Sequence, residues 1–187
     1  MDDDEYRRGK LTNHRVFGEA NALLCGDGLL TDAFGIIARS TPGNPDTRIE
    51  AIKLLSEMAG SDGMVAGQTL DLLFEDNKPA YIPFLQMNAL KTGCLIRTAC
   101  VLGALASGGD VFIADTYGKD VGLAFQIEDD LLDEGEEGKT TFLSFMSAQK
   151  AREKIKTLTS RAKRTVKDID TDGTLCAFAD YLMKRTV

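Results

Sequence analysis

Apolar residues along the chain recur at helical rather than strand spacing. Val16, Ala20, Leu23 and Leu24 form a first stripe with Asn13 as its candidate N-cap, and Leu30, Phe34 and Ile37 continue it from about Asp27 to Arg39. Pro42, Gly43, Asn44 and Pro45 then make the clearest break. Ile49, Ile52, Leu55 and Met58 lie on one face of the next helix, and Gly60-Ser61-Asp62-Gly63 separates it from one running from Met64 to about Phe74. After Asn77-Lys78-Pro79, a long apolar segment spans Tyr81 to Ala106 and stops at Gly108-Gly109. Asp110 caps a helix that reaches Asp133. An amphipathic helix from Phe142 to about Ile169, a turn at Asp172-Gly173 and a short helix to Arg185 complete the pattern. No run of alternating β-branched residues and no internal repeat interrupts it, so the pattern predicts an all-α bundle with short connections.

Composition narrows the function classes. The 187 residues carry 22 Lys and Arg against 29 Asp and Glu, a net charge of −7. That balance leaves no broad basic face for nucleic acid, but it allows a local cation cluster or a metal to hold a small phosphate ligand. The longest uncharged apolar stretch, Thr98 to Ser107, is too short to cross a bilayer, and Met1-Asp2-Asp3-Asp4-Glu5 is the opposite of a basic signal-peptide start. Cys25, Cys94, Cys100 and Cys176 form no CxxC pair. Reduced, packing cysteines in a cytoplasmic protein without a membrane span are the expectation.

The strongest candidate chemistry is Gln126-Ile127-Glu128-Asp129-Asp130-Leu131-Leu132-Asp133. At about 100° per residue, Gln126, Asp129, Asp130 and Asp133 fall within an arc of about 100° on one helix face. Like charges at that spacing repel, and a hard cation such as Mg2+ relieves the repulsion while bridging to substrate phosphates. An acidic helix end fraying into Glu134-Gly135-Glu136-Glu137 explains the same residues without chemistry. Asp2-Asp3-Asp4-Glu5 precedes Arg7-Arg8-Gly9-Lys10, which suits a site for a metal and a polyanion, or a solvated terminus. Lys91-Thr92-Gly93, inside an apolar helix, offers donors to a phosphate or a lysine that snorkels to water. His14 has no Cys or Ser arrangement around it that would build a nucleophilic triad. Asp170-Thr171-Asp172-Gly173 has too few acidic positions for a calcium loop and is expected to be a turn.

In one order along the chain stand Asp2-Asp3-Asp4-Glu5-Tyr6-Arg7-Arg8-Gly9-Lys10, Thr12-Asn13-His14, Gly67-Gln68 with Asp71, Lys91-Thr92-Gly93, and Phe125-Gln126 ahead of Asp129-Asp130-Leu131-Leu132-Asp133. This set resembles the trans-polyprenyl diphosphate synthases, most closely the bacterial farnesyl or geranylgeranyl type, over essentially the whole chain. The resemblance implies an isoprenoid-synthase-type helical bundle around a deep apolar cavity, a single domain over residues 1–187, and a homodimer. It implies a short-chain prenyltransferase: Mg2+ held by two aspartate motifs assists loss of diphosphate from an allylic diphosphate (dimethylallyl or geranyl), and isopentenyl diphosphate attacks the resulting cation to give farnesyl or geranylgeranyl diphosphate.

By the same resemblance, Asp2, Asp129, Asp130 and Asp133 are the metal ligands. Arg7 holds the allylic diphosphate and Arg8 the isopentenyl diphosphate, while Lys91, Thr92, Gln126 and Lys139 contact substrate; Asp129, Asp130 and Lys91 are the catalytic set. The family's first motif has the form DDxxxxD, and Asp2 matches its last aspartate, so the domain is expected to be incomplete at its N-terminus. Leu11 stands where the family has proline, and the loop between Asp133 and Lys139 is shorter than the family's. Two other readings fit the same fold: a non-catalytic regulatory subunit of a heteromeric synthase, and a terpene cyclase or head-to-head synthase, which Arg7-Arg8-Gly9 and Lys91-Thr92-Gly93 disfavour.

Overall fold

The computed structural model describes residues 3–40, 44–132 and 140–183. The chain folds as two compact units, residues 1–41 and 42–187.

In the first unit, two short strands, β1 (Tyr6–Arg7) and β2 (Lys10–Leu11), pair antiparallel, Tyr6 opposite Leu11 and Arg7 opposite Lys10. Helical periodicity alone does not predict this hairpin. It forms because Arg8 and Gly9 both take positive φ (51° and 71°), the backbone of a two-residue hairpin turn, and Gly9 does so without steric cost. Thr12 closes it: its hydroxyl donates to the Asp4 carbonyl at 2.7 Å, and its amide to the Glu5 carbonyl at 3.0 Å. Thr12, rather than Asn13, is the N-cap residue of α1 (Asn13–Phe17). The chain turns at Gly18 into α2 (Glu19–Ser40), one continuous 22-residue helix where the sequence pattern predicts two pieces. Arg15 lies 3.3 Å from Glu5 and 3.8 Å from Asp3, so the acids ahead of the hairpin are partly neutralised from α1.

The second unit is built from α3 (Pro45–Ala59), α4 (Met64–Asp76), α5 (Tyr81–Asn88), a π-helical turn (Ala89–Gly93), α6 (Cys94–Ser107), α7 (Val111–Leu132), a 3-10 turn (Phe142–Ser144), α8 (Ala148–Val166) and α9 (Thr174–Leu182). The starts follow capping chemistry. Asn44 accepts the Thr47 amide ahead of Pro45, the Asp110 carboxylate accepts the amides of Phe112 and Ile113, and Ser147 accepts that of Lys150.

α7 and α8 supply the spine. Tyr117, Val121, Ala124, Ile127 and Leu131 are buried at helical spacing on α7, and Ala151, Ile155, Leu158, Ala162 and Val166 on α8. Phe84 of α5 and Phe142 of the 3-10 turn join this core edge to face, ring centroids 5.0 Å apart, and Phe145 packs on Phe84 at 5.2 Å. Such aromatic pairs contribute about 0.5–1.5 kcal/mol each beyond burial, so they anchor the chain that follows α7 onto α5.

Two ion pairs lock the helices further. The carboxylate of Asp120, 2% exposed, takes both Nε and Nη2 of Arg161, joining α7 to α8. Arg97 of α6 grips Asp115 of α7 through Nε at 2.9 Å and Nη2 at 3.0 Å. Two helical stretches, 19–39 and 81–107, are long and apolar enough to cross a membrane by length and composition. The second interrupts its apolar run with Lys91 and Arg97, and it seats Phe84, Met87 and Cys94 in the interior of the unit. Core helices of a bundle have the same length and composition.

Candidate functional site

The polar side chains that meet inside the second unit come from two helices, α4 and α7, and from the turn between α5 and α6. Ala89–Gly93 forms a π-helical turn in an otherwise α-helical rod, an irregularity often found at functional sites. It carries Lys91 and Thr92 on successive residues, facing different neighbours. Lys91 Nζ donates to Asp71 Oδ2 of α4 at 2.5 Å, and Gln68 Nε2 reaches the same oxygen at 3.4 Å. Thr92 Oγ1 donates to Gln126 Oε1 of α7 at 2.9 Å. Gln126 Nε2 then donates to Asp130 Oδ1 at 3.1 Å, and Asp130 Oδ2 accepts the amide of Phe142 at 2.7 Å. Through these bonds the π turn is tied to α4 on one side and to the C-terminal end of α7 on the other.

Their placement is a consequence of local sequence. Gln126 and Asp130 are four residues apart, one above the other on α7, so their side chains meet. The apolar neighbours Ile127 and Leu131, about 100° further around the helix, are buried in the core and fix the rotation of the helix. Asp129 and Asp130, both half-buried, sit in the last described turn of α7. Their carboxylate oxygens are of the kind that fit a hard dication. Among the described residues no three His, Cys, Asp or Glu side chains are gathered closely enough to hold a metal by themselves. Asp129 and Asp130 therefore offer part of a coordination shell.

The remaining sequence candidates fall elsewhere. Arg7 and Arg8 are exposed on the hairpin of the first unit, where His14 Nε2 stands 3.1 Å from Asp3 Oδ1. Asp2, Asp133 and Lys139 lie outside the described residues. Asp170 and Asp172 are caps: Asp170 accepts the amides of Leu175 and Cys176 at 2.9 and 2.8 Å, and Asp172 that of Thr174 at 3.0 Å. Desolvation pushes the Asp170 carboxyl up, but the Cys176 and Leu175 amides outweigh it and hold the group below the usual carboxylate range.

Two hollows flank α7. One of about 290 Å³, mainly apolar, is lined by Ile82, Leu85, Ala89, Leu123 and Gln126 and so opens beside the Thr92–Gln126 bond. The other, about 650 Å³, lies over α8 and α9 and is bordered by Glu128, Arg152, Lys156 and Lys163. Glu128 is two residues, about 200°, around the helix from Gln126. The larger hollow therefore opens on the opposite side of α7 from the hydrogen-bond chain.

The Asp71–Lys91 pair and the capping of Phe142 by Asp130 are not predicted from sequence spacing. Gly67-Gln68 and Asp71 stand out only as part of the family resemblance, and no periodicity announces a π turn. The signal that exists is local: a lysine, a threonine and a glycine together in an apolar helix.

A model of the polyprenyl synthetase family matches residues 1–171. The farnesyl diphosphate synthase of Geobacillus stearothermophilus is 38% identical over 95% of this chain and 66% of its own length. The chloroplastic geranylgeranyl pyrophosphate synthase of Capsicum annuum is 35% identical over 99% of this chain and 56% of its own length. Among solved structures, an FPP/GFPP synthase from Zymomonas mobilis superposes with a TM-score of 0.91 at 35% identity, covering 97% of this chain and 68% of that one. The chain thus spans about two thirds or less of the length of these relatives.

Proposed function

The chain belongs to the polyprenyl synthetase family, and on that premise we propose that it is a short-chain prenyltransferase that condenses isopentenyl diphosphate with a dimethylallyl or geranyl diphosphate to give a C15 or C20 prenyl diphosphate. The observation that carries this reading is the set of hydrogen bonds made by the π turn: Lys91 is tied to Asp71 of α4, and Thr92 starts a run through Gln126 to Asp130 at the end of α7. It puts a primary ammonium and a hydroxyl, both suited to phosphate oxygens, on the same structural unit as the carboxylates that suit a dication.

In this reading Lys91 binds and orients the allylic diphosphate as a point charge, and Thr92 would add its single hydroxyl proton by turning it from Gln126 Oε1 to the ligand. Asp129 and Asp130 would hold Mg2+, and the family resemblance gives the same role to Asp2 and Asp133. A dication bound there would neutralise the leaving diphosphate. By the family resemblance Arg7 would bind the allylic and Arg8 the isopentenyl diphosphate, and Lys139 would be a further substrate lysine. The allylic C–O bond breaks, the diphosphate departs with its electron pair, the isopentenyl double bond attacks, and a proton is lost. No protein nucleophile is needed. The hollow beside Gln126 is mainly apolar, with Arg97 and Lys119 also on its lining, and its apolar part would keep water from a carbocation.

A homodimer in the cytoplasm belongs to the same proposal. Within its own unit α2 leaves Leu23, Leu24, Leu29 and Ile36 more than half exposed, an apolar surface that a second copy would cover. The cysteines are free thiols, and burial raises the pKa of Cys94 and of Cys100. The reading is tested by incubating the protein with isopentenyl diphosphate and each allylic primer in turn and measuring product chain length. C15 or C20 diphosphates support it. A folded protein that yields no elongated product, alone or with a partner synthase, contradicts it.

A further inference from the structure

Gly67 of α4 lies against the peptide backbone of the π turn. A Cβ at this position would stand 2.1 Å from Lys91 N, 2.5 Å from Lys91 Cα and 2.7 Å from Leu90 C, all backbone atoms that cannot swing aside. α4 therefore approaches the turn as closely as two backbones can, and it does so at the residue whose side chain matters. One helical turn further along α4, Asp71 receives the Lys91 ammonium at 2.5 Å. The backbone of Lys91 is seated by Gly67 and its side chain is aimed by Asp71, from the same face of the same helix.

We propose that Gly67 and Asp71 are positioning residues for Lys91: together they fix where its ammonium meets an anionic ligand, without themselves contacting the reacting atoms. The inference rests on the assignment of Lys91 to the diphosphate made above. It has a sign that simple electrostatics does not share. A carboxylate near a diphosphate repels it, so removing the Asp71 charge should tighten binding if Asp71 does nothing else. If Asp71 positions Lys91, removing it loosens binding, because an ammonium on a four-carbon stem then samples many rotamers.

Asp71→Asn keeps the side chain's size and so its packing. The expected result is a loss of about tenfold in affinity for magnesium diphosphate, read by calorimetry, and a matching rise in KM for the allylic substrate, with KM for isopentenyl diphosphate unchanged. Unchanged or tighter binding overturns the proposal. Gly67→Ala should show the same selective loss, and no further loss once Lys91 is already Met. Losses that add in the double variant overturn it. Gly103→Ala is the control, because a Cβ there meets nothing within 4 Å. Should Gly67→Ala fail to fold, Asp71→Asn decides alone. A wild-type protein that binds no diphosphate defeats the functional assignment instead. The positioning claim is then read from unfolding midpoints. Asp71→Asn and Lys91→Met should shift them non-additively, and strict additivity would refute it.

Discussion

The carboxylate of Asp130 accepts the backbone amide of Phe142 at 2.7 Å, which ties the last turn of α7 to the 3-10 turn that follows it in the chain. The same carboxylate holds Gln126 through its other oxygen. One acidic side chain thus joins the Thr92–Gln126 hydrogen bond to the core, because Phe142 is fully buried against Phe84. Asp129, its immediate neighbour, projects about 100° away around the helix. The two aspartates of one motif are therefore expected to respond differently to substitution.

Asp130→Ala should cost both stability and activity. It leaves the Phe142 amide and the Gln126 amide group without their acceptor, at about 1–3 kcal/mol for a half-buried donor. Thermal unfolding followed by circular dichroism is expected to show a clear drop in midpoint, and turnover should fall with it.

Asp129→Ala should cost activity with the helix content intact. Loss of a ligand to the dication removes several kcal/mol of charge stabilisation, about a thousandfold or more in turnover. Steady-state kinetics beside a circular dichroism spectrum checks both halves of the statement, and an unaffected rate refutes the assignment.

The Asp120–Arg161 pair should break asymmetrically. Arg161→Ala leaves a carboxylate that is 2% exposed without its partner, and is expected to destabilise by about 3–5 kcal/mol. Asp120→Asn leaves the Arg161 side chain, 53% exposed, free to find water, and should cost less. Chemical denaturation of the two variants gives the comparison directly.

How far the sequence discloses this molecule depends on the range of the interaction. Asp110 as a cap, the start of α3 at Asn44-Pro45, the glycine stop after Ser107 and the apolar stripe of α7 are set within a few residues, and local spacing reveals them. Asp120 with Arg161, and Asp71 with Lys91, are 41 and 20 residues apart. Nothing in local composition pairs them, and each aspartate alone looks like one more surface charge. The hairpin at Arg8-Gly9 escapes for a different reason: strands of two residues are too short to show alternation. The π turn escapes because one extra residue in a helix leaves the apolar pattern nearly unchanged. Among the site residues, Gln126, Asp129 and Asp130 are legible as one helix face, whereas Lys91 and Thr92 become a site only when α4 and α7 close on them.

The α9 caps should make stability fall in acid. Desolvation pushes the Asp170 carboxyl up, the Cys176 and Leu175 amides more than reverse this, and its folded pKa lies below the ordinary value. Asp172 is lowered chiefly by the Thr174 amide. A carboxylate depressed in the folded state contributes stability above its unfolded pKa, and loses it as pH falls through the folded one. Asp170→Asn is therefore expected to lower the unfolding midpoint at neutral pH. Its difference from wild type should shrink as pH drops below the ordinary aspartate range, which a pair of melting curves across pH 2 to 7 would record.

The most direct test of the central claim is the incorporation of labelled isopentenyl diphosphate into a longer prenyl diphosphate, followed while magnesium is titrated in and then removed with a chelator. The account requires product to appear with magnesium, to vanish with the chelator and to return when the ion is restored. Undiminished product in the presence of excess chelator would contradict the assignment of the α7 carboxylates to a dication and the mechanism built on them.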